Sequence, residues 1–477
     1  MVKLDLDLRR DFNWSFTIAD VTTAIIGADF LTHFHLAPYL AKRQLVDMST
    51  KLSVKCRSTP IESFGLSTIN SNSPVSDLLK QFPEITRPSP VNEVKHNVRH
   101  HIETTGKPIH ARARRLAPDK LKAAKIAFDK MLAEGIIRPS KSPWASPLHM
   151  ARKGIDDWRP CGDYRAVNNC TKPDRYPVPH LYDFTTNLSG CKVFSAIDLV
   201  KAYHQIPLHE DDIAKTAVIT PFGLFEFLRM PFGLRNAPQT FQRFIDSVTR
   251  DLDFVFVYID DILVASKSDT EHKQHLETLF RRLSEYGLTI NEAKCQFAQP
   301  QLKFLGHLVN QDGIAPLPDK VKSINEFPKP TTKKQLRRFL GMSNFYRRFQ
   351  RDIASILAPM YDMLKQKSRE LKWNETTNSA FESTKQTLAD MALLQHHHPN
   401  AKLSLQVDAS DAAVGAVLQQ YVDHCWVPLG YFSKALDNAQ RKYSAFDREM
   451  LAIYLAIKHY KYMLEGRDFI VFTDHKP

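Results

Sequence analysis

Residues 254–266 read FVFVYIDDILVAS, two adjacent aspartates inside an otherwise apolar, strand-favouring run. Setting two like charges side by side is costly unless a counter-charge pairs with them. FVFVYI and ILVAS are strand-like, and the two residues between them match hairpin spacing. This spacing predicts a hairpin with Asp260 and Asp261 at its tip, projecting from one edge of a sheet. Paired carboxylates on a rigid turn make a hard-oxygen site for Mg²⁺, with Mn²⁺ as a substitute, and the cation offsets their repulsion. Aspartate is also common in turns that face only water, so the pair alone decides nothing. A third acid changes the weighing. In KVFSAIDLVKAYHQIPL (192–208), Asp198 closes the apolar run FSAI. Three carboxylates at strand ends can hold two Mg²⁺ ions about 3.5–4 Å apart, the arrangement that serves phosphoryl transfer at a nucleotide.

The rest of the chain frames that site. A length of 477 residues exceeds one core and predicts roughly three or four domains. Lys and Arg number 65 against 52 Asp and Glu, a net charge of +13. That excess favours a polyanionic partner, nucleic acid or an acidic membrane, although a basic soluble protein has the same balance. The six cysteines form no CxxC pair and match no zinc spacing, which predicts reduced thiols in an intracellular protein. No stretch reaches the ~18 uncharged apolar residues of a membrane span. The opening MVKLDLDLRRDFNW has no apolar signal-peptide segment.

Along the chain, residues 1–55 carry short apolar runs, and 56–92 are rich in Ser, Thr and Pro. The latter read as a linker with one helical patch, SDLLKQF. APDKLKAAKIAFDKMLAEG (117–135) predicts a helix with Pro118 in its first turn and Gly135 just past its end. From 140 to 310 short strands alternate with helices, an α+β pattern. Residues 331–366 read as helical and basic. A second set of acids follows: Asp408 ends LSLQV, Glu449 opens the helix REMLAIYLAIKHY, and Asp474 ends DFIVF. Acids at two strand ends and one helix again suggest a two-metal centre, here for hydrolysis. Three successive histidines in QHHHPN (395–400) point in different directions and lack a Cys/His partner pattern, so zinc is not expected there.

Several blocks together resemble a known family. FSAIDLVKAYHQIPL, RMPFGLRNAPQTFQRF, YIDDILVAS and KFLGHLVNQDGI, in that order, are similar to the palm motifs of Gypsy-type (Metaviridae) LTR retrotransposon reverse transcriptases. GIIRPSKSPWASPLHMARK and DDWRPCGDYRAVN resemble the fingers of the same enzymes, and the likeness runs over about 80–477. It implies an α+β right-hand polymerase of fingers, palm and thumb, then a partial RNase H-like α/β domain. It also implies a small β-rich protease remnant at the start. The implied boundaries are 1–55 for the remnant, 56–92 linker, 93–315 fingers and palm, 316–370 thumb, 371–400 connector and 401–477 a truncated RNase H domain.

The resemblance also implies roles. Asp198, Asp260 and Asp261 match the catalytic metal ligands, and Asp408, Glu449 and Asp474 those of RNase H, with two ions per centre. Tyr203, five residues after Asp198, matches the steric gate that rejects a ribose 2′-hydroxyl, and the backbone of Lys201, Ala202 and Tyr203 would line the triphosphate site. Lys153 and Arg159 match residues that grip the triphosphate, and Phe232 and Gly233 the floor beneath the templating base. FLGH (304–307) matches the primer grip. KKQLRRFLGMSNFYRRFQR (333–351) resembles the thumb, with Leu336, Phe339, Leu340, Phe345 and Phe349 inward. Lys333, Arg337, Arg338, Arg347, Arg348 and Arg351 would face a duplex. The implied partners are an RNA template, a DNA primer, RNA/DNA hybrid, dNTPs and other Gag or Pol segments, with no membrane. The implied location is intracellular, in a cytoplasmic virus-like particle or the nucleus.

Two departures are visible. TIADVTTAIIGADFLTHFHL (17–36) resembles the end of a retroviral-type protease, but no Asp-Thr-Gly or Asp-Ser-Gly occurs, so protease activity is not expected. The chain stops just after Asp474, without a fourth RNase H acid. A non-catalytic nucleic-acid-binding remnant is the competing reading. Lost palm acids would favour it, and all three are present. A viral RNA-dependent RNA polymerase also uses an Asp-Asp hairpin, but Tyr203 and the RNase H-like segment argue against it.

Overall fold

The computed structural model describes residues 2–15, 26–39, 44–55, 75–86, 94–153, 157–180, 183–185, 187–366, 368, 370–389, 391 and 393–474. The chain divides into two compact units, Met1–Thr68 and Ile69–Pro477. In the first, strands Val2–Asp5 and Asp11–Trp14 form a hairpin, and Leu36–Tyr39, Gln44–Asp47 and Ser53–Lys55 form a three-stranded antiparallel sheet. Leu8, Phe12, Phe30 and Leu36 make its core. Residues 17–25 of the protease-like stretch lie outside the described residues.

In the second unit, a five-stranded sheet runs in the order Ile137–Pro139, Gly223–Phe227, Val218–Thr220, Ser146–Lys153, Asp157–Gly162. The expected helix spans Pro118–Ala133, with Pro118 in its first turn and Gly135 at φ +66°. The central sheet is Val255–Tyr258, Asp261–Ser266, Val193–Asp198, Gln296–Gln299. Its strand Asp261–Ser266 is apolar at consecutive positions because both faces are covered. Ile262 and Val264 join a core that includes Phe241, Phe244 and Ile245 of helix Ala237–Val248 and Leu276, Leu279 and Phe280 of helix Asp269–Glu285. Leu263 and Ala265 join the opposite core with Phe184, Phe304 and Leu336.

The stretch read as a linker is corrected in part. Residues 56–74 and 87–93 lie outside the described residues, but Val75, Leu78, Leu79 and Ile85 are buried in the same core as Ile262 and Val264. Ile290 N–H donates to the Ile85 carbonyl. The apolar spacing within SDLLKQF and PEIT outweighs the surrounding Ser and Pro composition, because those side chains have a core to enter.

A three-stranded meander, Gln301–Phe304, His307–Asn310 and Gly313–Pro316, leads to helices Pro318–Asn325, Lys333–Phe345, Ile353–Lys365 and Glu375–Ala389. Thr332 and Gln335 form a reciprocal capping box at the start of Lys333–Phe345. The last sheet runs Cys425–Ala435, Ala413–Val422, Leu403–Ala409, Phe469–Phe472; its first three strands are antiparallel and the fourth is parallel to its neighbour. Helix Ala445–His459 packs on it through Ala452 and Ala456. No helix among the described residues is long and apolar enough to cross a membrane.

Candidate active sites

The antiparallel register of the central sheet sets Asp261 directly opposite Asp198. Opposed residues share one face, so both carboxylates leave the sheet on the same side. The hairpin differs by one residue from its expected form. Tyr258 pairs with Asp261, so the turn is Ile259–Asp260 and Asp261 opens the second strand. Only Asp260 is at the tip.

That turn is strained. Ile259, a β-branched residue, sits at φ +56°. The fully buried Gln242 holds it there. Its Oε1 accepts from Ile259 N–H at 2.8 Å, and its Nε2 donates to the Val257 carbonyl at 3.3 Å and to Asp246 Oδ1 at 2.8 Å. Tyr176 donates its hydroxyl to the other Asp246 oxygen at 2.6 Å. Sequence reasoning missed Gln242, although its signal was present as a polar residue on the apolar face of an amphipathic helix.

Partial burial, then the charges of Asp260 and Asp198, push the Asp261 carboxyl up to about 6. Lys294 acts against this, and its Nζ lies 3.4 Å from Asp198 Oδ1. One ammonium opposes three carboxylates, so the site retains an uncompensated negative charge that suits a divalent cation. Lys294 was also missed. The structure brings it in because Asn291 N–H donates to the Asp198 carbonyl, anchoring the loop that carries it.

Beside the acids lies an aromatic wall. Tyr203 packs on Phe232 with ring centroids 4.9 Å apart and on Phe241 at 5.7 Å. Its phenol is pushed up to about 12 by burial and by Asp260, so it is neutral at physiological pH. The Arg159 guanidinium lies 5.6 Å from the Phe232 centroid. Gly233 has φ +94°, and a Cβ there would stand 3.5 Å from the Gly162 carbonyl. Asn168, another residue unseen in sequence, fixes that loop by donating to the Gly233 carbonyl and accepting from Arg235 N–H. Lys201 is left-handed at φ +44° and its ammonium is paired with Glu134 at 2.6 Å, so the ammonium is held by that carboxylate. Ala202 is buried. Lys153 ends strand Ser146–Lys153, and its side chain lies outside the described residues.

The FLGH segment is a tight hairpin in which Phe304 pairs with His307, and Leu305 and Gly306 both have positive φ. Phe345, expected inside, is instead exposed and stacks on His307 with centroids 5.4 Å apart. The expected basic face is corrected more strongly. Arg347 and Arg348 donate to the Ser433 and Leu429 carbonyls of strand Cys425–Ala435. Lys333 caps helix Ile353–Lys365 through the Leu364 and Gln366 carbonyls. Arg338 lies over the Phe327 ring, and Arg351 pairs with Asp352 at 3.3 Å. Arg337 stays exposed. Carbonyls along this edge strand and at a helix C-terminus hold Arg347, Arg348 and Lys333.

In the last sheet, Asp408, Glu449 and Asp474 bring carboxylate oxygens within 4.8 Å of one another. Buried Glu449 accepts from Ala409 N–H at 2.8 Å and from the Thr473 hydroxyl at 3.2 Å, which fixes it between the two strand ends. Asp352, at the start of helix Ile353–Lys365, reaches the same face. Its Oδ1 stands 2.2 Å from where a Cβ on Gly415 would lie, and Gly415 is the cross-strand partner of Asp408. Burial raises the Asp352 carboxyl, with Asp408 adding to the rise against Arg351. The three histidines diverge: His396 bonds the Asn310 carbonyl, His397 meets Arg467, and His398 N–H donates to Gln420.

Residues 150–309 match the model of the reverse transcriptase (RNA-dependent DNA polymerase) family, and 373–471 that of the RNase H-like domain found in reverse transcriptase. The chain carries a reverse transcriptase domain followed by an RNase H-like domain. It is 39% identical over 388 residues to the retrovirus-related Pol polyprotein from transposon 297 of Drosophila melanogaster, covering 80% of this chain and 36% of that one. It is 35% identical over 423 residues to the transposon Tf2-3 polyprotein of Schizosaccharomyces pombe, covering 86% and 32%. The chain thus spans about a third of the length of these relatives, both of them transposon polyproteins. In fold it is similar to a foamy viral protease-reverse transcriptase solved with dsDNA, at a TM-score of 0.78 and 22% identity over 84% of this chain and 71% of that one. The same viral protein with an RNA/DNA hybrid gives 0.76 and 22%, over 90% and 60%. Asp198, Asp260 and Asp261 fall inside the reverse transcriptase span, and Asp408 and Glu449 inside the RNase H-like one.

Proposed function

We propose that this chain is the RNA-directed DNA polymerase portion of a Gypsy-type LTR retrotransposon Pol polyprotein, extending a DNA primer on RNA or DNA. The observation that carries this is the opposition of Asp198 and Asp261 with Asp260 in the adjoining turn. Divalent ions held by these three carboxylates, Mg²⁺ by preference, would activate the primer 3′-hydroxyl and neutralise the leaving pyrophosphate. Lys294 neutralises part of the carboxylate charge before a cation arrives. Arg159, beside the Phe232 ring, is the guanidinium that grips the triphosphate. Lys153 belongs to the same grip. The backbone at Lys201–Tyr203 lines that site, and the Tyr203 ring fills the space of a 2′-hydroxyl, which selects dNTPs. Phe232 and Gly233 form the floor under the templating base, close to the Gly162 backbone.

Asp408, Glu449 and Asp474 form a second divalent-metal centre on the RNase H-like domain, directed at the RNA strand of a hybrid. The partners proposed for this chain are template, primer, hybrid and dNTPs. Its relatives at the fold level were solved on dsDNA and RNA/DNA hybrid. Residues 1–55 are a protease-like segment, and the site of action is a cytoplasmic particle or the nucleus.

The test is primer extension by the purified chain on poly(rA)/oligo(dT) with dTTP and Mg²⁺, beside an Asp260→Asn/Asp261→Asn double variant. Extension by the wild type alone is expected. Retained template binding with no extension would favour the non-catalytic remnant.

A further inference from the structure

We propose a third metal site, distinct in chemistry from the two carboxylate centres: His101, His209 and Asp212 bind a borderline transition metal, Zn²⁺ or a congener. Their donor atoms lie within 4.8 Å of one another. His101 Nδ1 is 3.5 Å from Asp212 Oδ2. That separation is too long for a hydrogen bond. It is close to the roughly 3.3 Å between two ligands of one tetrahedral ion with bonds of about 2.0–2.1 Å. The two imidazoles lie near each other, with centroids 4.5 Å apart and planes 32° apart. Small side-chain rotations converge all three donors on one point.

The surroundings fit a ligand set. Asp212 is buried, and its second oxygen is fixed by Lys215 at 2.7 Å, while Lys215 also donates to the Ile102 carbonyl. A ligating carboxylate whose free oxygen is hydrogen-bonded is the usual outer-shell arrangement. The backbone is equally set: His100 N–H donates to the Pro207 carbonyl and His209 N–H to the His100 carbonyl. Asp212 N–H donates to the His209 carbonyl. His101 and His209 are both reached by solvent, which leaves a path for the ion. Asp211 Oδ2 lies 3.6 Å from His209 Nδ1, so a carboxylate also flanks that imidazole.

Ligand chemistry separates this site from the others. Lys215 offsets the charge of Asp212, so affinity must come from neutral imidazoles, which suit Zn²⁺, Co²⁺ or Ni²⁺ and not Mg²⁺. His101 belongs to the segment ahead of the fingers helix, whereas His209 and Asp212 follow the Asp198 strand. A bound ion therefore ties that segment to the palm.

Titration of the full chain with Co²⁺ tests this. The expected result is the intense visible bands of tetrahedral Co²⁺, bleached by Zn²⁺, with no sulfur charge-transfer band. His101→Ala and His209→Ala each weaken binding at least tenfold, whereas Asp260→Asn and Asp408→Asn leave it unchanged. Zn²⁺ raises the melting temperature of the wild type but not of either histidine variant, and the metal-free melting temperature of each variant controls for folding. Bands unchanged in both histidine variants would overturn the proposal. So would a sulfur charge-transfer band, or only the weak spectrum of octahedral Co²⁺.

Discussion

Asp198 and Asp261 stand directly opposite each other on neighbouring antiparallel strands, the last residue of one against the first of the other. Cross-strand like charges repel. The fold keeps them together, and burial first, then the charges of Asp260 and Asp198, raise the Asp261 carboxyl to about 6. Removing that charge should help the fold while ending catalysis. Asp261→Asn is expected to raise the metal-free melting temperature at pH 7–8 and to cut primer extension by several orders of magnitude. The sign follows from linkage. Between the ordinary carboxylate range and about pH 6 the folded protein holds a proton that the unfolded chain releases, so the destabilisation is fully present above pH 6. A lower melting temperature for Asp261→Asn at pH 8 would contradict this.

The same group predicts a pH profile. Protons and divalent cations compete for Asp261, so extension should fall as pH drops through about 6 at limiting Mg²⁺. Raising Mg²⁺ should move the midpoint to lower pH. A midpoint indifferent to Mg²⁺ would remove Asp261 from the ligand set.

Gln242 is a positioning residue for the turn. Gln242→Leu leaves the Ile259 N–H and the Val257 carbonyl without their buried partner. A loss of about 1–3 kcal/mol in urea unfolding is expected, with at least tenfold slower extension. Ile259→Gly relieves the left-handed strain and should gain about 1 kcal/mol. If Gln242→Leu unfolds like the wild type, the strain is held elsewhere.

Tyr203 packs against Phe232 with ring centroids 4.9 Å apart. Tyr203→Ala should admit rNTPs, raising their use relative to dNTPs at least tenfold, while Tyr203→Phe should keep discrimination because the ring is retained. Steady-state incorporation of rUTP against dTTP reads both. Continued rejection by the alanine variant would sink the gate assignment.

Gly415 leaves room for Asp352. A methyl group there meets Asp352 Oδ1 at 2.2 Å, so Gly415→Ala should cost about 1–3 kcal/mol by overpacking. Asp352→Ala should recover most of that loss. A double-mutant cycle with no coupling would show that the two do not touch.

Much of the candidate site is legible in the sequence, because its acids sit at the ends of apolar runs whose lengths mark strands. The ordered blocks around Asp198 and the Asp260–Asp261 pair pointed to a palm. The basic residues at 333–351 were less readable. Arg347 and Arg348 look like phosphate ligands in sequence, yet they bond the Ser433 and Leu429 carbonyls. A carbonyl supplied by a strand far along the chain leaves no local mark. Likewise, Val75–Ile85 has the composition of a linker but enters the core around Ile262 and Val264.

The sequence by itself determined which residue types could meet a divalent cation and in what order, since charge and apolar run length are local properties. Only the tertiary structure decided register and partnership. A slip of one residue reverses every side chain of a strand. Whether Asp261 sits at the tip or opposite Asp198 therefore depends on pairing between distant segments. Gln242, Lys294 and Asn168 gained their places the same way, through contacts with distant backbone or carboxylate groups that a linear pattern does not encode.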